Sequence, residues 1–320
     1  MGGIKKVRRR EGSETQMTKT STPLIVNAIV LLFSLSYSTL CHSDTLSVSC
    51  GEQPAACLQS INEQQQRVAS GSDGWWELEV LKLNSLFKFQ KIEDLYVALR
   101  PWINNPDVPP QYQPHIALIY GKWLQRRRRL DEANVALEQA LEGFKALEDK
   151  NASAQLELKI LNTLVLLNRF EQAKTYVEQL KQKAYDSPLF YREVYAELAH
   201  IAHKNDARQA HVEYRRESVR WANQVPDEQQ KAIAYNNYGV ALRLNGDYKQ
   251  AEQALLKAAE HAEQAHDLHQ LQKIRLRLGE VYVSLGEPQK AQHYVDIIDL
   301  QHLNKSQVAR YRNLARSVKM

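Results

Sequence analysis

Residues 232–267 read AIAYNNYGVALRLNGDYKQAEQALLKAAEHAEQAHD, and this stretch decides the fold. Tyr235, Tyr238, Gly239 and Leu242 fall at i, i+3, i+4 and i+7, one face of a helix. Asn245-Gly246-Asp247 interrupts the pattern as a tight turn. Ala251, Leu255 and Ala258 resume it on a second helix. Gly239 removes a side chain where the partner helix comes nearest, and Ala251 is read as the small residue that answers it. One helical hairpin cannot bury its own apolar face, so it needs copies of itself to stack on.

The copies appear when the Ala251 column is slid along the chain. It lands on Leu95, Ala133, Ala173, Ala210, Ala251 and Ala291, at intervals of 38, 40, 37, 41 and 40 residues. Twelve residues before these anchors stand Leu83, Gly121, Leu161, Leu198, Gly239 and Gly279. Three residues further on come Leu86, Leu124, Leu164, Ile201, Leu242 and Tyr282. Four past each anchor come Leu99, Leu137, Val177, Tyr214, Leu255 and Val295. The expected fold is therefore all-α: a right-handed superhelical solenoid of about six antiparallel hairpins with helical caps.

Leu278-Gly279-Glu280-Val281-Tyr282, followed by Ala291 and Val295, resembles the tetratricopeptide repeat in its spacing of Leu-Gly, Tyr, Ala and an apolar residue. The resemblance spans about residues 76–300. The interval, near 40, is longer than that family's 34. The family's tryptophan column here holds Glu79, Ala117, Glu157, Val194, Tyr235 and Arg275, so most units depart from the consensus. Such a resemblance implies a binding scaffold without catalysis of its own.

The repeat array is read as 75–302, with 303–320 as a C-terminal capping helix in which Val308, Tyr311 and Leu314 share a side. Pro106, Pro109, Pro110 and Pro114 forbid helix between Asn104 and Pro114. Residues 44–74 form an N-terminal cap, with a short helix over 55–69 burying Leu58, Ile61 and Val68. Residues 1–43 read as an export signal, with Lys19, the apolar run Leu24–Leu35 and small residues up to Ser43. Met17 is an alternative start. An uncleaved anchor and a lipid-modified Cys41 remain open. Export would make the chain periplasmic in a Gram-negative cell, with no membrane contact after cleavage. In an oxidising compartment Cys50 and Cys57 form a candidate disulfide.

Charge and motif content narrow the function. The net charge is +5, but 1–43 carries six of the 42 basic and two of the 37 acidic residues, leaving the remainder at +1. The run Arg126–Arg129 stands at a helix C-terminus, where cations offset the macrodipole, and Asp131 and Glu132 follow. Nucleic acid is therefore not an expected partner. The chain has no Gly-rich phosphate loop, nucleophile elbow, or kinase or metalloprotease signature, so neither catalysis nor a cofactor is expected. His200, His203 and His211, and the group His261, His266 and His269, read as solvated residues rather than metal ligands.

The expected partner is a protein or peptide held along the concave face lined by the first helices. Candidate groove residues are Asn84, Lys122, Asn162, Tyr195, Asn236 and Arg243, with Ala199, Val240, Glu280 and Phe87 as further positions. No first helix carries the Lys and Asn four residues apart with which relatives clamp a C-terminal carboxylate. A sensory or regulatory module acting on a separate signalling partner is the alternative. Oligomeric state is not legible.

Overall fold

The computed structural model describes residues 54–319, which lie in one compact unit. Among the described residues all regular structure is helical. Helix α1 (Pro54–Gln65) precedes six pairs. These are α2 (Asp73–Lys88) with α3 (Ile92–Leu99), α4 (Gln113–Arg126) with α5 (Leu130–Glu148), and α6 (Ala154–Leu166) with α7 (Phe170–Gln182). Then follow α8 (Pro188–Lys204) with α9 (Arg208–Ala222), α10 (Glu228–Asn245) with α11 (Tyr248–Gln264), and α12 (Leu268–Ser284) with α13 (Pro288–Ile297). Helix α14 (Lys305–Val318) packs on both members of the last pair. Each helix packs on its mate and each second helix meets the next pair, a helical repeat solenoid.

Local chemistry sets the helix ends. Ser72, Ser153 and Ser187 accept the backbone N–H of Trp75, Leu156 and Phe190, and Asp227 accepts those of Gln229 and Gln230. Pro114, Pro188 and Pro288 sit in first turns, where a missing N–H costs nothing. Asn304 and Gln307 form a capping box at α14. Each hairpin turn then places one residue in the left-handed region: Gln90, Arg128, Asn168, Asp206, Gly246 and Gly286. Their intervals are 38, 40, 38, 40 and 40 residues.

That backbone ruler corrects one register. Five residues after each turn residue come Leu95, Ala133, Ala173, His211, Ala251 and Ala291, all buried. The fourth anchor is therefore His211, whereas Ala210 is only half-buried. Counting back twelve gives Ala199, fully buried, in place of Leu198. Counting forward four gives Arg215 where other units place Leu or Val. This hairpin carries a histidine and an arginine on the columns that are apolar elsewhere.

Close packing follows the glycines. A Cβ on Gly239 would stand 2.6 Å from Leu255 Cγ and 3.3 Å from the Ala251 carbonyl oxygen. The residue that answers Gly239 is thus mainly Leu255. At Gly279 the added atom would meet Leu314 of α14 at 2.5 Å, so the cap docks into the space the glycine leaves.

The N-terminal region differs from expectation in one respect. Helix α1 ends at Gln65, leaving Val68 exposed. Cys57 takes the buried place instead, with Ile61, against Leu78, Leu81 and Phe89. Beyond it Trp75, Trp76 and Trp102 meet edge to face, and Tyr112 stacks on Trp76, so the proline segment is tied down by aromatic packing. The export segment and Cys50 lie outside the described residues. No described helix is long and apolar enough to cross a membrane.

Candidate binding groove

The corrected register fixes which side chains the first helices leave unpacked. Counting from Gly239, the positions six before, two before and one after hold Ile233, Asn237 and Val240, all half-exposed. The same three positions hold Glu193, Glu197 and His200 on α8, and Lys273, Arg277 and Glu280 on α12, again half-exposed. Spacings of four and three keep them on one helical face. The intervening positions, such as Ala199, Gly239 and Leu278, are buried in the packing.

Side chains on this face interact across successive pairs. Asn162 Nδ2 donates to Glu197 Oε1 at 2.7 Å, linking α6 to α8. Arg277 donates to Asn236 Oδ1 at 2.5 Å, linking α12 to α10. Arg310 of α14 holds Glu280 through two hydrogen bonds, and Arg192 pairs with Glu193. By contrast, none of Lys122, Lys159, Arg215, Lys273 and Arg277 forms an ion pair among the described residues.

The electrostatics reflect crowding. Desolvation, with Lys159 adding repulsion, pushes Lys122 down to about 8. Desolvation likewise lowers Lys159. Lys273 falls to about 8, by desolvation and then by Arg277, with Lys88 adding to it. Arg215 and Arg277 are each pulled down to about 10, mainly by desolvation. Glu197 is raised by burial, against the opposing hydrogen bond from Asn162. The carboxylates of Glu193, Glu197, Asp267 and Glu280 oppose these shifts without outweighing desolvation.

The strand of repeats also curls back on itself. Lys88, Phe89, Gln90 and Lys91, the turn between α2 and α3, line a cavity of about 620 Å³ together with residues of α10, α12 and the segment 301–307. Asn237, Gln270 and Lys273 face this cavity. Gln270 is buried, and its Nε2 has no hydrogen-bond acceptor. A second cavity of about 480 Å³ lies beside the proline segment, between Trp102 and Gly143, and is lined without a charged side chain.

The structure sorts the residues singled out from the sequence. Lys122 and Asn162 face the groove among its charged groups. Asn84 also stands on the first-helix face, but its Nδ2 donates to Val80 O one turn back. Tyr195, once the register is corrected, falls in the tryptophan column and packs beside Tyr214 against the core. Asn236 is buried, and Ala199 is fully so. Arg243 is half-buried, with its Nε lacking an acceptor. His211 is buried rather than solvated, and its Nε2 lies 3.4 Å from Arg215 Nε. Among the described residues no cluster of His, Cys, Asp and Glu is arranged to hold a metal. Of the arginine run, Arg127 pairs with Glu93 and Arg129 with Glu132, both exposed. Glu193 and Glu197 were missed because a one-residue error in register moves a side chain off its face, whereas Lys159, Lys273 and Arg277 stand two or six residues before the small column, positions the sequence reading did not follow. The uneven intervals of 37 and 41 around Ala210 were the available signal.

Comparison with known proteins agrees with this architecture. Residues 196–296 match the family model described as tetratricopeptide repeat. No curated protein matches the sequence. Among solved structures, a Rap protein complexed with Competence and Sporulation Factor aligns at 17% identity, covering 84% of this chain and 75% of that one, with a TM-score of 0.54. Aspartyl phosphate phosphatase F from Bacillus subtilis aligns at 12% identity over 88% and 81% of the two chains, with a TM-score of 0.56. The APC/C hetero-tetramer Cut9-Hcn1 aligns at 15% identity and a TM-score of 0.53, covering 87% of this chain and 49% of that one. These likenesses establish a helical fold of the tetratricopeptide-repeat kind.

Proposed function

We propose that this chain is an exported scaffold that binds a protein or peptide along the groove lined by its first helices. The observation that carries the reading is the recurrence, on α8, α10 and α12, of one unpacked face at equivalent positions beside buried packing columns. A solenoid keeps such a face free because each unit needs only its neighbours for stability. Amides at Asn162 and Asn237 supply donors and acceptors suited to an extended backbone. The Rap structure, crystallised with Competence and Sporulation Factor, is a case of this fold holding a factor. It supports, as a second reading, a regulatory module that passes binding on to a separate partner.

Export rests on the sequence of 1–43, and the Cys50–Cys57 bond rests on export. N-terminal sequencing of the mature protein tests the first. Peptide mass with and without reductant tests the second. For the groove, a photo-crosslinking residue at Asn237 is compared with one at the exposed Leu256 of α11. Crosslinks to a common partner from Asn237 and not from Leu256 are expected. Crosslinks from Leu256 alone would place recognition on the second helices and end the groove reading.

A further inference from the structure

The groove holds more positive charge than its own carboxylates neutralise. Glu193 and Glu280 are already paired with Arg192 and Arg310, and Glu197, which accepts from Asn162, is the one carboxylate left to offset both Lys122 and Arg215. Lys122, Lys159, Arg215, Lys273 and Arg277 are left without an ion-pair partner. They come from α4, α6, α9 and α12, so no single small anion can touch them all. An extended chain with several carboxylates can. At one end of the series, Lys273 and Lys88 line one cavity with the amide of Asn237, and Asp267 is the carboxylate on its wall.

Resting on the groove reading above, we propose that the occupant is an acidic peptide, with one carboxylate seated in the cavity between the α2–α3 turn and α12. Lys273 and the Asn237 amide would hold that carboxylate, and Lys88 would close on it from the first hairpin. A charge-assisted bond to a partly desolvated cation is stronger than its surface equivalent. Ligation across the cavity would also tie the first hairpin to the last. A nucleic-acid strand fits less well, because single strands are held by aromatic stacking. The three groove positions on α4, α6, α8, α10 and α12 contain no Phe, Tyr or Trp.

The experiment is fluorescence anisotropy of labelled hexaglutamate, hexaglutamine and hexathymidylate with the full chain, at low and near-physiological salt. Hexaglutamate is expected to bind at least about tenfold more tightly than hexaglutamine, and to weaken with salt. Lys273→Gln and Lys159→Gln are each expected to weaken hexaglutamate about tenfold, whereas Lys145→Gln, which removes an exposed cation on α5, leaves it unchanged. Melting curves confirm that each variant is folded. Equal binding of hexaglutamate and hexaglutamine, an equal effect of Lys145→Gln, or tighter binding of hexathymidylate would each overturn the proposal. If the acidic probe fails while crosslinks still map to Asn237, the groove reading stands and its anionic occupant falls. If crosslinks map only to Leu256, both fall.

Discussion

Arg277 of α12 donates a 2.5 Å hydrogen bond to Asn236 Oδ1 of α10, and Asn236 is only 1% exposed. A side chain that reads from sequence as a ligand contact is therefore a strut between adjacent repeats. Asn236→Ala would leave the crowded Arg277 guanidinium without its acceptor. The expected loss is about 1–3 kcal/mol of stability, measured by chemical denaturation. A variant as stable as the parent would show that the strut contributes nothing.

Gly239 and Gly246 separate packing from turn geometry within one hairpin. Gly239→Ala drives a methyl group toward Leu255, with an expected cost of about 1–3 kcal/mol. Gly246 has open space around it but a φ of 93°, so Gly246→Ala suffers backbone strain alone, about 1 kcal/mol or more. Leu255→Ala should relieve the first variant and leave the second unrelieved. Relief of both, or of neither, would refute the close-approach account.

Acid should destabilise the protein through two buried histidines. Burial holds His115 and His211 down to about 4, with Lys159 adding to the first and Arg215 to the second. The unfolded chain protonates these rings near 6.5, so between about pH 6.5 and 4 it binds more protons than the native state. Stability present above that window is lost as pH falls through it. His115→Leu, which keeps an apolar group against Phe144, should flatten the melting temperature against pH across this range. An unchanged slope would exclude His115 as a contributor.

The alkaline side has the opposite sign. Lys122 and Lys273, held to about 8, lose protons in the native state before the unfolded chain does near 10.5. Stability should therefore rise from about pH 8 to about pH 10. Tyr112 and Tyr185, pushed up to about 12, reverse the trend above about pH 10. Lys122→Met with Lys273→Met should be more stable at neutral pH and lose most of the rise. A falling melting temperature between about pH 8 and 10 would contradict the desolvation of these lysines.

Much of the architecture is local and so is written in the sequence. Ala232–Asp267 alone specifies two helices and their turn, because apolar spacing, Gly246 and the small residues act within one hairpin. Its copies specify the stack, since no unit can bury its face alone. The final helix over Lys305–Val318 and the proline interruption before α4 follow from capping and proline chemistry in the same way.

The groove depends on register and on neighbours several turns away, which spacing along the chain does not encode. Ala210 and His211 are adjacent, and alanine looks the better core residue. Only the turn at Asp206 puts His211 on the buried column, and with it Tyr195 in the packing and Glu197 on the open face. Whether Asn236 meets solvent or Arg277 depends on a contact across 41 residues. The cavity that joins the α2–α3 turn to α12 depends on the small rotations between successive pairs, which accumulate along the array and are set by how every interface packs.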